Sequence, residues 1–129
     1  MIGFLLLGAT GITMEVFYTA IVARAWRSGR GYSYAWMFPV YGAAYPAIMI
    51  AQPLIADFPL LIRGVVYALM FILGEWMSGW ALRVLLGEAP WEAGYREHRT
   101  IGQGLVRPDL APMWFLVGIL FERLALVCP

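Results

Sequence analysis

The sequence contains no lysine, and it has one cysteine, Cys128, and one histidine, His98. Without lysine the chain has no P-loop lysine and cannot form a Schiff base. A single cysteine and a single histidine cannot make a disulfide, a zinc site or an iron–sulfur site within one chain. Charge is also scarce, since 13% of the residues are charged and the formal net charge is +1. We therefore expect no metal, no cofactor and no nucleic-acid partner.

The residues that are present are those of a membrane protein. Hydrophobic residues make up 62% of the 129 positions, against about 45–50% in soluble domains. A membrane-spanning helix needs roughly 20 mostly apolar residues. The sequence therefore predicts an all-α integral membrane protein, a four-helix transmembrane bundle in a single domain over residues 1–129. Its helices are expected at about residues 2–23, 34–56, 60–86 and 110–127.

The arginines predict how the bundle is oriented. Seven of the nine lie in the first and third loops, namely Arg24, Arg27, Arg30, Arg83, Arg96, Arg99 and Arg107. The positive-inside rule then places these loops in the cytoplasm and both termini outside. No positive region precedes Ile2 and no cleavage motif follows the first apolar run, which favours an uncleaved helix. We expect an N-out/C-out protein of a bacterial or archaeal cytoplasmic membrane, with a cytoplasmic loop between helices 3 and 4.

Polar residues inside the predicted spans are the main candidates for a binding site. Glu15 and Glu75 lie nine and eight residues before the arginines that end their helices, or about 13 and 12 Å deep. Tyr41 reaches a similar depth on the second helix, and Ser78 follows Glu75 by three residues. Because a carboxylate in the bilayer is costly, these groups should face a polar pocket. The alternative is that the glutamates are protonated and serve only to hold the helices together.

Glu122 is a further ligand-binding candidate on the fourth predicted helix. It continues the stripe of Trp114 and Gly118 at a spacing of four residues. The neighbouring Arg123 and the nearby carboxyl terminus favour a different interpretation. In that interpretation, Glu122 belongs to an ion pair at the outer surface, with its side chain extended toward the interface.

The third loop contains an aromatic and basic segment at residues 90–100. Trp91 is amphipathic and can lie at the level of the lipid headgroups. Arg96, His98 and Arg99 can bind a phosphate or a headgroup. The alternative is a solvated loop that merely follows the positive-inside rule.

The order of short motifs along the chain resembles that of a known family. These motifs are Gly11-Ile-Thr-Met-Glu15, Tyr41-Gly42, Glu75-Trp-Met-Ser-Gly79, Pro90-Trp91, Ile101-Gly102 and Trp114-Phe-Leu-Val-Gly118. The series resembles small four-helix proteins that include vertebrate transmembrane protein 229 and the bacterial CmpB-type ABC transporter permeases. The resemblance implies a four-span transporter subunit and singles out Glu15, Tyr41, Gly42, Glu75, Gly79, Trp91 and Trp114. The loop departs from the family pattern at two points. Glu92 stands where the family often has Asp after the tryptophan. The tyrosine that usually follows directly comes three residues later here, at Tyr95.

Three functional hypotheses follow. The first is a permease-like protein that binds or transports a small molecule, ion or lipid through a glutamate-lined pocket. The second is a membrane enzyme acting on a lipid or prenyl substrate, but the chain has no nucleophile–base pair, so no catalytic residue is predicted and a non-enzymatic role is favoured. The third is a non-catalytic scaffold or assembly subunit. The expected partners are membrane lipids and a second copy or another membrane subunit, with a separate ATPase only for a true ABC permease.

Overall fold

The structure is a computed structural model that describes residues 1–23 and 30–128. In these ranges the chain is helical and forms no strand beyond one isolated bridge between Ile101 and Val106. Arg24 and Arg27, which contribute to the predicted orientation, lie outside the described residues. The helices are α1 (Ile2–Val22), α2 (Met37–Gly42), α3 (Ala44–Ile55), α4 (Leu60–Leu86), α5 (Glu92–Tyr95) and α6 (Ala111–Leu126), with a 3-10 turn at Pro108–Leu110 before α6.

Three stretches of the described chain are long and apolar enough to cross a membrane. They are Ile2–Val22, Met37–Ile55 and Leu60–Leu86. Few of their large apolar side chains are buried and many are exposed, as expected for surfaces in contact with lipid. The protein is therefore an integral membrane protein. The fourth predicted span corresponds to α6, which has 16 residues and is shorter than these three.

Prolines shape the second of these stretches. The helix is interrupted at Ala43, between α2 and α3. Pro46 has no N–H to donate to the carbonyl of Gly42, four residues earlier, so the regular helical ladder is lost at this point. Pro53 lies inside α3 and in the same way frees the carbonyl of Met49. The stretch thus consists of two short helices in sequence.

The chain divides into two compact units, Met1–Ala51 with Arg123–Pro129 and Gln52–Glu122. In the first unit, α1 presents small residues to aromatic rings. A Cβ atom on Gly3 would lie 2.1 Å from the Tyr45 ring, and one on Gly11 would lie 2.2 Å from the Tyr41 ring. Since neither position has room for a side chain, glycine allows these rings to pack directly on the α1 backbone.

The second unit is built on α4 and α6, which run antiparallel. Near one end of the pair Glu122 contacts Arg63, and farther along Trp114 stacks on Phe71 with 5.6 Å between ring centroids. Gly118 is covered by Tyr67, to which an added Cβ would approach within 2.3 Å. The helix α4 ends at Leu86 and is capped by Gly87, whose φ of 87° is the left-handed conformation that glycine adopts without strain.

The segment between α4 and α6 is a folded cap with its own small core. Ala89, Trp91, Leu105 and Val106 are all buried. Gly102, Gln103 and Gly104 have positive φ and form the turn that joins the bridged residues Ile101 and Val106. The cap packs on α4, since a Cβ on Gly79 would lie 2.9 Å from Trp91. The segment is therefore folded, although its basic residues Arg96, His98 and Arg99 are exposed.

Candidate functional site

Glu75 is the best-defined polar group of the second unit. It lies on α4, is 8% exposed, and accepts a hydrogen bond at Oε1 from the Tyr95 hydroxyl of α5. Its other oxygen, Oε2, is buried and has no hydrogen-bond partner in the described part of the chain. The indole Nε1 of Trp114 on α6 is also buried, and within the described residues it forms no hydrogen bond of normal length and angle. It lies close enough to the Glu75 carboxyl group to interact with it. A buried acceptor and a buried donor, neither of them fully satisfied within the described residues, thus lie near each other.

Two charged residues complete the surroundings of Glu75. Arg107 forms an ion pair with Asp109, and its guanidinium lies 5.5 Å from the centroid of the Tyr95 ring. Both residues lie close enough to Glu75 to interact with it electrostatically.

The cap that carries Tyr95 is anchored by a double hydrogen bond between Arg83 and Glu92. Arg83 Nη2 lies 2.6 Å from Glu92 Oε1, and Arg83 Nε lies 3.1 Å from Oε2. The N–H of Ala89 also donates to Oε2, at 2.8 Å. These contacts lower the pKa of Glu92, the hydrogen bond from Arg83 being the main cause. Bidentate geometry fixes orientation as well as distance, so the start of α5 is held against the end of α4.

Trp91 lies inside the cap and not at a surface. It is 8% exposed, and its indole N–H donates to the Leu105 carbonyl at 2.9 Å. The sequence analysis placed this side chain at the level of the headgroups, and the structure locates it differently. Its neighbours in that prediction, Arg96, His98 and Arg99, are exposed. Arg96 pairs with Glu88 at 2.8 Å.

Ser78 lies one helical turn from Glu75, but its hydroxyl bonds to its own helix. It donates to the carbonyl of Gly74 at 2.6 Å, with the Glu75 carbonyl at 3.3 Å. Serine hydroxyls within helices commonly donate to a carbonyl of the preceding turn in this way. The Ser78 hydroxyl therefore already donates its hydrogen bond within its own helix.

Glu15 forms a second polar group, in the first unit. Its carboxylate accepts a hydrogen bond from Ser33 at 3.0 Å and another from the Tyr41 hydroxyl. Within the described ranges no cation forms an ion pair with it. The structure thus brings together Glu15 and Tyr41, which the sequence analysis singled out separately, and adds Ser33.

The segment that carries Ser33 is held on α1 one turn beyond Glu15. The Thr19 hydroxyl donates to the Tyr32 carbonyl at 2.9 Å, and the Tyr32 N–H donates back to it at 2.8 Å. Gly31 lies against the backbone of α1, because an added Cβ would be 1.9 Å from the Val16 carbonyl oxygen. Burial raises the pKa of Tyr34, and Tyr32 and Glu15 raise it further.

Glu122 has different partners from those expected. It is 1% exposed, and it accepts hydrogen bonds from Arg63 at 3.0 Å and from the Tyr67 hydroxyl at 2.9 Å. Arg63 also donates to the Ala56 carbonyl at 3.3 Å. The expectation of an outer-surface ion pair with Arg123 is wrong, since Glu122 is buried and its ion pair is with Arg63. Glu122 lies on the face of α6 that packs on α4, where Arg63 supplies the opposite charge.

Several contributing residues were missed by reasoning from the sequence. Tyr95 lies 20 positions from Glu75, and Tyr67 and Arg63 lie 55 and 59 positions from Glu122. Arg107, whose ion-pair partner is Asp109, also follows Glu75 at a long separation in the sequence. Only the depth of Arg63 offered a signal, since an arginine near a predicted span needs a partner. No group of three or more metal-binding side chains occurs in the part of the chain that the structure describes.

An apolar groove lies between α4 and α6. It has a volume of about 550 Å³ and is lined by Val65, Ala68, Leu69, Ile72, Ala111, Pro112, Phe115 and Leu116. None of the predicted site residues lines it. The polar groups described above are therefore separate from this groove.

Comparison with known proteins identifies the family. No curated protein matches the chain, and no solved structure does so either. A family model described as "Putative ABC-transporter type IV" matches residues 2–128, which is nearly the whole sequence. This finding confirms the resemblance to the CmpB-type proteins. The chain belongs to this ABC-transporter type IV family.

Proposed function

We propose that this protein is a four-span membrane subunit of a transporter and that it binds a small solute at Glu75. The family and the three long apolar helices support the membrane role. The fourth span would be α6, whose 16 residues cover about 24 Å and are extended by the preceding 3-10 turn. The arginine-rich loops support a cytoplasmic position for the cap and an N-out/C-out orientation.

The state of Glu75 is the observation that carries the proposal. A buried carboxylate that only held helices together would be expected to have both oxygens satisfied. Within the described residues, neither Oε2 nor the nearby donor Trp114 Nε1 forms a hydrogen bond of normal length and angle. A solute with both a donor and an acceptor, such as a hydroxyl or an amide group, would satisfy both atoms. The Tyr95 hydroxyl on Oε1 would orient the carboxyl group for this contact.

The other candidate residues take different parts in the proposal. Glu15 and Tyr41 are a second ligand-binding pair, in the first unit. Glu122 has both oxygens engaged by Arg63 and Tyr67, which supports a structural role. Ser78 donates to its own backbone and would meet a ligand only as an acceptor.

The exposed basic residues of the cap support contact with lipid. Arg96, His98 and Arg99 are exposed on it, and Trp76 and Trp80 are exposed on α4. Basic and tryptophan side chains together are typical of the membrane interface. We propose that the three basic residues contact anionic headgroups.

Transport would require partners. Four helices offer little surface to enclose a path for a solute, so the proposal includes a second copy or another membrane subunit. An ABC-type mechanism would also need a separate ATPase, because this sequence has no lysine for a P-loop.

Native mass spectrometry of the protein in mild detergent tests the proposal. Glu75→Gln keeps the size of the side chain and alters the acceptor at Oε2. Glu97→Gln is the matched control, because Glu97 is an exposed carboxylate of the cap. We expect a small-solute adduct on the wild type and on Glu97→Gln that is lost in Glu75→Gln. A wild type without adduct, or an adduct that Glu75→Gln retains, would favour the scaffold hypothesis.

A further inference from the structure

The apolar groove between α4 and α6 ends next to the Glu75 group. Ile72 and Ala111 are its lining residues nearest the cap, since α4 runs toward the cap and α6 begins there. Glu75 follows Ile72 by three residues, and Trp114 follows Ala111 by three. Side chains at this spacing are neighbours on a helix, with about 5–6 Å between Cβ atoms. The Trp114 ring also stacks on Phe71, the sequence neighbour of Ile72, with 5.6 Å between centroids. The groove and the two polar groups therefore lie side by side.

The groove is open on its outer side. The side chains that line it are apolar, and two of them, Leu69 and Leu116, are 60% and 68% exposed. Because α4 is long and apolar enough to cross a membrane, its exposed apolar side chains contact hydrocarbon. The groove volume of about 550 Å³ is within the range of about 300–1,000 Å³ that is usual for small-molecule sites. A hydrocarbon chain can therefore enter it directly from the bilayer.

The approach to Glu75 from the cap is covered. The Tyr95 hydroxyl donates to Glu75 Oε1. One helical turn further along α4, Trp91 and Leu105 pack over Gly79, where an added Cβ would lie 2.9 and 3.0 Å from them. Both of these side chains are buried. A ligand that comes from water on this side meets a folded core, whereas a ligand that comes from the bilayer meets an open groove.

The polar end of the site determines which head groups fit. Within the described residues neither Glu75 Oε2 nor Trp114 Nε1 forms a hydrogen bond of normal length and angle. A hydroxyl or a primary amide can donate to Oε2 and accept from Nε1. A deprotonated phosphate or carboxylate has no hydrogen to donate to Oε2 and is therefore disfavoured. Both polar atoms are buried, but Trp114 as a whole is partly exposed, so a head group can reach them by displacing its ring.

The chain and the head group contribute differently to binding. Lipid chains are as apolar as leucine, so a hydrocarbon chain gains little when it moves from the bilayer into the groove. A polar head that leaves the hydrocarbon for a matched donor and acceptor gains hydrogen bonds. The groove therefore admits a chain, and Glu75 with Trp114 selects the chains that carry a suitable head.

We propose that the groove and the Glu75 group form one binding site for a neutral single-chain amphiphile, a long-chain alcohol or amide taken from the bilayer. Its head group lies between Glu75 and Trp114, and its chain lies along Leu69, Ile72 and Phe115. The inference rests on the solute site proposed above at Glu75 and names the substrate class of that site.

Photolabelling with 1-hexadecanol that carries a diazirine within its chain tests where the amphiphile binds. The full chain in phosphatidylglycerol nanodiscs is irradiated with this probe, and the labelled peptides are identified by mass spectrometry. We expect labelling at residues 65–72 and 111–116, which line the groove, and its suppression by excess unlabelled 1-hexadecanol. Labelling spread evenly over the exposed apolar faces of α1 and α4, or labelling that does not saturate, would overturn the proposal.

Competition by 1-methoxyhexadecane tests the head group. This ether has the same chain and accepts a hydrogen bond, but it cannot donate one to Glu75 Oε2. We expect 1-hexadecanol to compete about 2- to 10-fold better than the ether, the range for one hydrogen bond. Equal competition would overturn the proposal. The comparison uses the wild-type protein, so the folding of a variant does not affect it.

Three variants connect the labelling to the named residues. Glu75→Gln should remove the preference for the alcohol over the ether, because an amide nitrogen donates where Oε2 accepts. Ala111→Phe fills the end of the groove nearest the cap and should abolish labelling of the groove. Ala9→Phe places the same ring at an exposed position of α1 and should label as the wild type does. A preference for the alcohol that survives Glu75→Gln, or an Ala111→Phe protein that labels normally, would overturn the assignment.

The two proposals fail in different ways. A small-solute adduct that Glu75→Gln loses in native mass spectrometry, together with no labelling of the groove, would leave the Glu75 site standing and overturn the amphiphile. The absence of both the adduct and the labelling would overturn both proposals.

Discussion

Replacing Glu122 with leucine removes the carboxylate that Arg63 and Tyr67 contact at 3.0 and 2.9 Å. The side chain of Arg63 is 15% exposed and that of Glu122 is 1% exposed, so the remaining arginine charge is largely shielded from water. Removing one partner of a buried ion pair costs about 3–5 kcal/mol. We expect Glu122→Leu to lower the free energy of unfolding by about this amount, measured by reversible unfolding in mixed micelles containing sodium dodecyl sulfate.

A double-mutant cycle shows whether the loss comes from the pair. Arg63→Leu/Glu122→Leu removes both charges, and it should recover most of the stability because apolar replacements of a buried pair are often neutral. Tyr67→Phe should cost about 1.5–3 kcal/mol, the value for a hydrogen bond to a charged group. The exposed Arg123→Leu is the control and should change stability by less than about 0.5 kcal/mol. A cost below about 1 kcal/mol for Glu122→Leu, or a double variant as unstable as the sum of the two single variants, would refute the reasoning.

Three further predictions concern packing, pH and the cap. Gly11→Ala should destabilise the protein by about 1–3 kcal/mol, because its Cβ would lie 2.2 Å from the Tyr41 ring; an unchanged unfolding midpoint would contradict this. The lowered pKa of Glu92 means that the cap is stabilised above the ordinary glutamate value of 4.5 and loses this contribution as the pH falls through the folded-state pKa. The protection factors of the cap amides, which relate the observed exchange to the intrinsic exchange at the same pH, should therefore fall in acid, and Arg83→Gln should remove this fall. Trp91→Phe should cost about 1 kcal/mol, seen as faster exchange of the cap at neutral pH, and exchange equal to that of the wild type would contradict it.

The sequence predicts those parts of the fold that depend on a local pattern of residues. Hydropathy alone predicts apolar helices at 2–23 and 60–86, and the structure has Ile2–Val22 and Leu60–Leu86. Lipid contact imposes long uninterrupted apolar runs, which leave a direct trace in the sequence. The predicted second helix, 34–56, shows the limit of this approach. Its break at Ala43 depends on one missing N–H, at Pro46, and hydropathy does not register it.

The candidate site was less accessible to this reasoning, because its contacts join distant parts of the chain. Depth in the membrane singled out Glu75, but its bond with Tyr95 requires the cap to fold back over α4. That folding rests on the double hydrogen bond of Arg83 with Glu92 and on turn residues with positive φ. The sequence analysis paired Glu122 with its neighbour in the sequence, Arg123. In the structure its ion-pair partner is Arg63, which is 59 positions away. Helix packing sets such pairs, and helical periodicity restricts only the face on which they lie.

An electron-density map around Glu75 is the most direct test of the central claim, that its free oxygen belongs to a solute site. Crystals of the protein grown in a lipid mesophase, without harsh detergent, would preserve a bound molecule. The account predicts density larger than a single water between Glu75 Oε2 and Trp114 Nε1, absent from crystals of Glu75→Gln. A direct hydrogen bond from Trp114 to Glu75, with no density between them, would contradict it.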